Sequence, residues 1–207
     1  MTFGWAKTIL ASAGILISAS ISSNAVELKA DQPFMTVTGR TSQPIGHYEF
    51  CQRYRAECEV RSSAEKRMRL SAKALNQLLS VNDDVNTRIA PATDMEIYGK
   101  AEWWEYPTTR GDCEDLALLK RRKLIAMGWP VGDLLMTVVR QKNGDGHAVL
   151  TVLTDKGDLV LDNLDPHVKV WSQTPYTYIK RQSGFDTGQW VSIEDGRGSL
   201  EVSSLKN

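Results

Sequence analysis

Residues 111–130 read GDCEDLALLKRRKLIAMGWP and predict a helix of about four turns with Cys113 on its first turn. Asp112 is a suitable N-cap, and Gly128 followed by Pro130 supplies a stop signal. A thiol at a helix N-terminus is where an activated nucleophile is expected, because the helix dipole favours the thiolate. A free cysteine is more often a small buried hydrophobe, so a capped core helix is the structural alternative to a reactive site.

The first 25 residues have the order of a secretory signal peptide. Lys7 precedes an apolar run over residues 9–21, and the segment SNA at 23–25 fits a small-x-small cleavage site. A membrane anchor is the less favoured interpretation, because the run is short for a span and rich in Ser and Ala. We therefore expect export to the periplasm, with residues 26–207 forming a single domain that has its own core.

The charge balance argues against a nucleic-acid partner. The chain carries 25 basic and 25 acidic residues, and its densest basic run is KRRK at 120–123. Because this run lies inside the predicted helix, we expect it to form the solvated face of that helix.

The three cysteines divide into a pair and an odd residue. Cys51 and Cys58 lie seven positions apart, and in an oxidising compartment they are expected to form a local disulfide. Cys113 is then left over, which favours a reactive role for it. The sequence has no Cys-x-x-Cys pair, so a zinc–thiolate site is not expected.

Hydrophobic periodicity predicts helices first and strands afterwards. A capping-box pattern, SSAE at 62–65, precedes apolar residues at helical spacing and predicts an amphipathic helix over 63–80, whereas residues 26–46 are expected to be irregular. Strands that are apolar on both faces follow the cysteine helix and predict a central antiparallel sheet covered by helices. The predicted strands are 134–140, 147–153 and 159–162, with 176–179 and 190–193 as candidate edge strands.

A histidine and an aspartate occupy suggestive positions in this sheet. His147 opens one predicted strand and Asp162 closes the next, so a cysteine nucleophile, a base and a group that orients the base are all present. If Thr154-Asp155 forms the hairpin tip, His147 lies directly opposite Asp162. If Lys156-Gly157 forms the tip, Asp162 shifts by about four residues along the strand, or roughly 13 Å. Taken alone, either residue has a plain structural explanation.

Three short segments together resemble the bacterial transglutaminase-like cysteine proteinases: GDCED at 111–115, GHAVL at 146–150 and LDNL at 161–164. The resemblance extends over roughly residues 45–193 and includes the paired cysteines and the WxxP segment at 104–107. It implies an α+β, papain/transglutaminase-like cysteine peptidase fold, with N-terminal helices packed on a central antiparallel sheet. By position it implies that Cys113 is the nucleophile, His147 the base and Asp162 its orienting partner.

The resemblance also implies partners and a metal. The family includes periplasmic proteases that cleave large surface adhesins and so release biofilms. A protein substrate of that kind is therefore expected, with an inner-membrane regulatory receptor as a further candidate partner. The adhesin-cleaving members bind calcium through acids beside the nucleophile; Asp112 and Glu114 match those positions, and Asp115 is adjacent.

A physical argument stands beside the calcium expectation. Three carboxylates around one thiol disfavour its thiolate by like-charge repulsion, and a divalent cation held by oxygen ligands cancels that repulsion. The alternative is that the three acids only complement the positive end of the helix dipole.

Two other functions use the same residues. An acyl transferase or amidase shares the acyl-enzyme step and differs only in the acceptor, so the sequence does not separate it from a peptidase. A non-catalytic, calcium-dependent binding module is the third interpretation, and the presence of Cys113, His147 and Asp162 together argues against it.

Overall fold

The computed structural model describes residues 31–63 and 66–196, together with Met1. The predicted signal peptide, apart from Met1, lies outside these residues, so it stays a prediction. Among the helices described, each is too short or too polar to span a bilayer.

The strands build one large antiparallel sheet and one small parallel pair. The large sheet has seven strands in the order β1-β9-β8-β4-β5-β6-β7, and every neighbouring pair in it is antiparallel. The parallel pair is β2 with β3, directly before the cysteine helix. The bounds are β1 Thr36–Thr41, β2 Ala90–Pro91, β3 Arg110–Gly111, β4 Leu134–Arg140, β5 Gly146–Thr154, β6 Gly157–Leu161, β7 Lys169–Val170, β8 Thr177–Gln182 and β9 Trp190–Glu194.

Five helices of the described chain cover or flank this sheet. They are α1 Ile45–Arg53, α2 Arg55–Cys58, α3 Ala72–Arg88, α4 Asp94–Tyr98 and α5 Cys113–Ala126. Helix α5 packs on β4 and β5, and α3 packs against α5. The predicted α+β architecture, with helices preceding and covering an antiparallel sheet, is therefore confirmed.

The bounds of α5 agree with its sequence signals. The helix begins at Cys113 immediately after Asp112, and the chain leaves it through Gly128, whose φ of +91° suits glycine. The basic run was expected to be solvated, and this is wrong for half of it: Lys120 and Arg121 are buried, whereas Arg122 is exposed. Arg121 enters the core with partners: its Nε donates to the carbonyl of Leu134 at 3.0 Å, and its guanidinium pairs with a glutamate of α2.

The long N-terminal helix starts later than its sequence suggested. Helix α3 is capped by Ser71, whose Oγ accepts the backbone N–H of Ala74 at 3.2 Å. The capping-box pattern at 62–65 does not start it, since Arg61 forms a β-bridge to Asp186 and Ser62 donates its N–H to the carbonyl of Phe185. Tertiary pairing holds this part of the chain away from helical geometry.

The strand predictions were accurate at the centre of the sheet and wrong at its margins. Strands β4, β5 and β6 begin and end within two residues of their expected bounds. The segments expected at the edges, β8 and β9, lie inside the sheet instead, because β1 pairs with β9 and forms the edge. Strand β1 falls in the region expected to be irregular.

Candidate active site

The hairpin of β5 and β6 brings His147 to Asp162 in a register that lies between the two predicted ones. Thr154 pairs with Gly157, so the tip consists of residues 155 and 156, and Leu150 pairs with Leu161. Asp162 follows β6 directly and is a diagonal neighbour of His147 on the same face. His147 Nε2 lies 2.8 Å from Asp162 Oδ1, so direct opposition of the two residues is not required.

Hydrogen-bond donors surround the carboxylate of Asp162. Besides His147, the backbone N–H of Leu164 reaches Oδ1 at 3.0 Å, and the hydroxyl of Tyr176 donates to Oδ2 at 2.5 Å. Burial acts to raise the pKa of Asp162, but the hydrogen bonds from these groups and the electrostatic attraction of the His147 ring outweigh it and lower the pKa below its usual value. Asp162 is therefore ionised, and Nε2 of His147 carries the ring proton that faces it.

Cys113 lies beside the same strand. The backbone N–H of Ala148, the residue after His147, points at Cys113 Sγ at 3.4 Å. The thiol itself donates to Glu114 Oε2 at 3.0 Å. Burial raises the pKa of Cys113 well above its usual value, and the charge of Glu114 and its hydrogen bond with the thiol raise it further. The cysteine predicted to be reactive is thus a neutral thiol in this geometry, and it donates its hydrogen bond to Glu114.

The acids around the thiol divide into two sets. Carboxylate oxygens of Asp112 and Glu114 lie within 4.8 Å of each other and of a third carboxylate oxygen, from Asp94. Asp115 is directed elsewhere, and its Oδ1 accepts the backbone N–H of Glu105 at 2.7 Å. Of the three acids predicted as metal ligands, the structure therefore brings two together and places Asp115 outside the group.

Asp94 was missed because its sequence signal is purely local. It is the first residue of α4, and Thr93 and Glu96 form a capping box at the N-terminus of this helix. That pattern is able to locate a helix, but nothing in the sequence connects residue 94 with the cysteine helix. Burial raises the pKa of Asp94 to about 6, although the backbone N–H of Trp103 donates to its carboxylate and acts to lower the pKa.

The parallel pairing of β2 with β3 brings Asp94 close to the acids at the start of α5. Pro91 is paired with Gly111, and Ala92 donates its N–H to the carbonyl of Gly111 at 3.0 Å, so α4 starts beside the first turn of α5. A Cβ on Gly111 would lie 2.9 Å from both the Cβ and Oδ2 of Asp115. This approach requires glycine immediately before the motif that carries the thiol.

Helix-cap chemistry does not account for the acids. Asp112 occupies the N-cap position of α5 but makes no side-chain capping hydrogen bond. Burial raises the pKa of Glu114, and the negative charge of Asp112 raises it further. Burial likewise raises the pKa of Asp115, to about 8. Crowding and burial thus raise the electrostatic cost of ionising these carboxylates, and the positive end of the helix dipole does not bring their pKa values back to the usual range.

The expected disulfide is present. Cys51 of α1 is bonded to Cys58 at the end of α2, with their Cα atoms 5.7 Å apart. Cys113 is the free cysteine of the described chain. The division into one structural pair and one available thiol, predicted from spacing and compartment, is confirmed.

An antiparallel sheet carrying a His–Asp pair, packed on a helix that starts with a free cysteine, is the arrangement of papain-like and transglutaminase-like cysteine peptidases. Comparison with family models matches residues 37–198 to the bacterial transglutaminase-like cysteine proteinases. The chain belongs to this family and is a cysteine peptidase.

The solved structures that resemble it include LapG of Legionella pneumophila. Calcium-bound LapG is 27% identical, with 61% of this chain and 73% of that chain covered and a TM-score of 0.50. The EGTA-treated form of LapG is 26% identical, with 60% and 73% covered and a TM-score of 0.48. Comparison with curated proteins gave no match.

Proposed function

We propose that this peptidase is an exported endopeptidase in which Cys113 is the nucleophile, His147 the general base and Asp162 the group that orients the base. One observation carries the proposal: His147 Nε2 lies 2.8 Å from an ionised Asp162, while the neighbouring backbone N–H of Ala148 is directed at Cys113 Sγ. With Nε2 protonated towards Asp162, the lone pair of His147 lies on Nδ1, where it is free to accept a thiol proton.

The proposed reaction is acyl transfer to water. His147 takes the proton of Cys113, and the sulfur attacks the carbonyl carbon of the scissile peptide. The C–N bond breaks as the imidazolium returns that proton to the leaving amine, which leaves a thioester on Cys113. His147 then accepts a proton from water and the hydroxide attacks the thioester carbonyl. The C–S bond breaks to release the carboxylic acid product, and the imidazolium returns its proton to the sulfur, which regenerates the thiol.

Asp94, Asp112 and Glu114 are the residues we assign to calcium. Oδ1 of Asp94 and Oδ1 of Asp112 are buried without a hydrogen-bond partner in the described part of the chain. Carboxylate oxygens are the ligands that calcium prefers, so this donor set fits the ion, and the calcium-bound state of LapG supports the assignment. Bound there, calcium supplies positive charge that offsets the repulsion among the three carboxylates.

Glu114 connects this site to the nucleophile. Its Oε2 now accepts the thiol proton of Cys113. If the carboxylate of Glu114 were to hold a cation together with Asp94 and Asp112, it would no longer compete with His147 for that proton. The proposal therefore gives the acids a role in presenting the nucleophile as well as in stabilising the start of α5.

The proposed substrate is a large cell-surface adhesin, whose cleavage would act in biofilm control. The proposed location is the periplasm, and an inner-membrane receptor is the candidate regulator. The direct test is to incubate the protein with a purified adhesin encoded near its gene and to identify the products by mass spectrometry. Wild type is expected to generate new peptide termini, and Cys113→Ala to generate none. Ammonia release with formation of a cross-link would favour the acyl transferase, and an unaltered adhesin would reject this substrate.

Export has a separate test. The mature periplasmic protein is expected to begin near Val26, because the segment before it fits a cleavage site. N-terminal sequencing of the periplasmic fraction measures this directly. Recovery of a cytoplasmic protein that retains Met1 would contradict it.

A further inference from the structure

Asp162 is held by groups that belong to no part of the proposed triad. The hydroxyl of Tyr176 donates to Oδ2, the oxygen that His147 does not use. On the other side, the side-chain amide of Asn86 in α3 donates to the backbone carbonyl of Asp162 at 2.8 Å. The carboxylate is thus fixed through its side chain by one element and through its backbone by another.

We propose that Tyr176 is a positioning residue for the peptidase reaction, acting through Asp162 on the orientation and tautomer of His147. The inference rests on the proposed triad and deepens it. Tyr176 lies between the Trp171–Gln173 turn and β8, and its ring centroid is 5.4 Å from that of His147. It therefore touches both members of the pair without reaching the reacting thiol by any described hydrogen bond.

The need for this hydroxyl follows from burial. Asp162 is 3% exposed, so water does not replace a lost donor at Oδ2. Its other oxygen, Oδ1, is already shared by His147 and the backbone N–H of Leu164. Without the Tyr176 hydroxyl, the carboxylate is expected to rotate or to take up a proton, and either change weakens its hold on the Nε2 proton of His147.

Tyr176 is distinct from the neighbouring tyrosine on β8. The hydroxyl of Tyr178 lies 3.0 Å from Thr174 Oγ1, and its ring packs edge-on against Trp171. Both tyrosines are buried. Tyr178→Phe therefore removes a buried hydroxyl of the same kind from a similar environment, and it serves as the matched control for Tyr176→Phe.

Alkylation of Cys113 by iodoacetamide provides a readout that needs no known substrate. The sulfur displaces iodide and the thiol proton passes to His147, while the bridged Cys51 and Cys58 do not react. At one fixed neutral pH, Tyr176→Phe is expected to slow alkylation about tenfold, the scale of one hydrogen bond to a charged group, and Tyr178→Phe to leave the rate unchanged.

The second readout is the ring N–H resonance of His147 in protein labelled with ¹⁵N-histidine. The chain has three histidines, so loss of one resonance in His147→Ala assigns the signal. This resonance is expected to shift or to broaden through exchange with water in Tyr176→Phe and to persist in Tyr178→Phe. A merely structural role for Tyr176 would lower the thermal midpoint and leave the resonance in place.

The outcomes separate the two proposals. Unaltered alkylation in His147→Ala would reject the triad itself. Slow alkylation in His147→Ala, together with a wild-type rate and resonance in Tyr176→Phe, would overturn only the role given to Tyr176. If Tyr176→Phe fails to fold, Asn86→Ala tests the premise of the proposal, that the groups holding Asp162 set the tautomer of His147, because it releases only the backbone of Asp162. A wild-type rate and resonance there would reject that premise.

Discussion

His47 is expected to make this protein sensitive to acid. The residue lies in α1 at 1% exposure, with Trp104 and Trp190 packed edge-on against its ring at centroid distances of 5.5 and 5.3 Å. Trp190 Nε1 donates to its Nδ1 at 3.2 Å, and Gln182 Nε2 lies 3.0 Å from its Nε2. Burial, and next the positive charge of Arg121, lower the pKa of His47 from 6.5 to about 3.

The sign of the effect follows from proton uptake. The unfolded chain protonates His47 as the pH falls through its ordinary pKa, whereas the native state keeps it neutral down to about pH 3. Acidification between these two values therefore favours the unfolded chain. Each pH unit in this window removes about 1.4 kcal/mol, so the loss at about pH 4.5 is roughly 3 kcal/mol relative to neutral pH. That is a large share of the stability of an ordinary domain.

Urea unfolding at about pH 7 and about pH 4.5 measures this contribution, with His47→Gln compared with wild type and with His167→Gln. His167 is exposed, so His167→Gln is expected to lose as much stability on acidification as wild type does. His47→Gln starts from a lower stability at neutral pH because it disturbs the packing between Trp104 and Trp190, but it is expected to lose roughly 3 kcal/mol less on acidification. An equal loss in all three proteins would refute the reasoning.

Three further predictions concern the site. Cys113→Ala and His147→Ala are each expected to reduce turnover by several orders of magnitude while the fold is kept, and the double variant to lose little more, as kinetic assays on a cleaved substrate would show. Calcium is expected to raise the thermal midpoint of wild type and of Asp115→Asn but not of Asp94→Asn, and chelation to reverse the increase, as differential scanning calorimetry would show. Gly111→Ala is expected to cost about 1–3 kcal/mol in urea unfolding because its new Cβ meets Asp115; unchanged stability would contradict that contact.

Local chemistry made much of the site predictable. The start of α5 combines an N-cap residue with a thiol. The sequence of the β5–β6 hairpin consists of two apolar runs joined by a turn. His147 and Asp162 occupy the ends of these runs, so one hairpin places both residues on one face. The hairpin register was not predictable, because Asp155-Lys156 and its two neighbouring dipeptides are all acceptable tips.

The remaining errors arise from contacts between distant segments. Asp94 joins the acids of α5 only because β2 pairs with β3, and two short strands of two residues each leave almost no periodic signal. Lys120 and Arg121 were expected in solvent because a run of basic residues is usually exposed. Arg121 is buried instead because its Nε bonds to the carbonyl of Leu134 and its Nη1 bonds to Glu57, and neither partner is visible from the helix sequence.

The electrostatics of the nucleophile argue that the acids are functional and not incidental. At Cys113, the helix N-terminus and the N–H of Ala148 favour thiolate, but burial and the charge of Glu114 prevail, so the pKa of the thiol is raised. Asp112, at the N-cap position, makes no side-chain capping hydrogen bond in return. An N-cap serine offers capping of comparable strength without adding a carboxylate to this crowded group. The electrostatic cost of placing these carboxylates beside the thiol is explained if Asp94, Asp112 and Glu114 bind a cation. Glu114 would then no longer accept the hydrogen bond of the Cys113 thiol, and His147 could take the thiol proton.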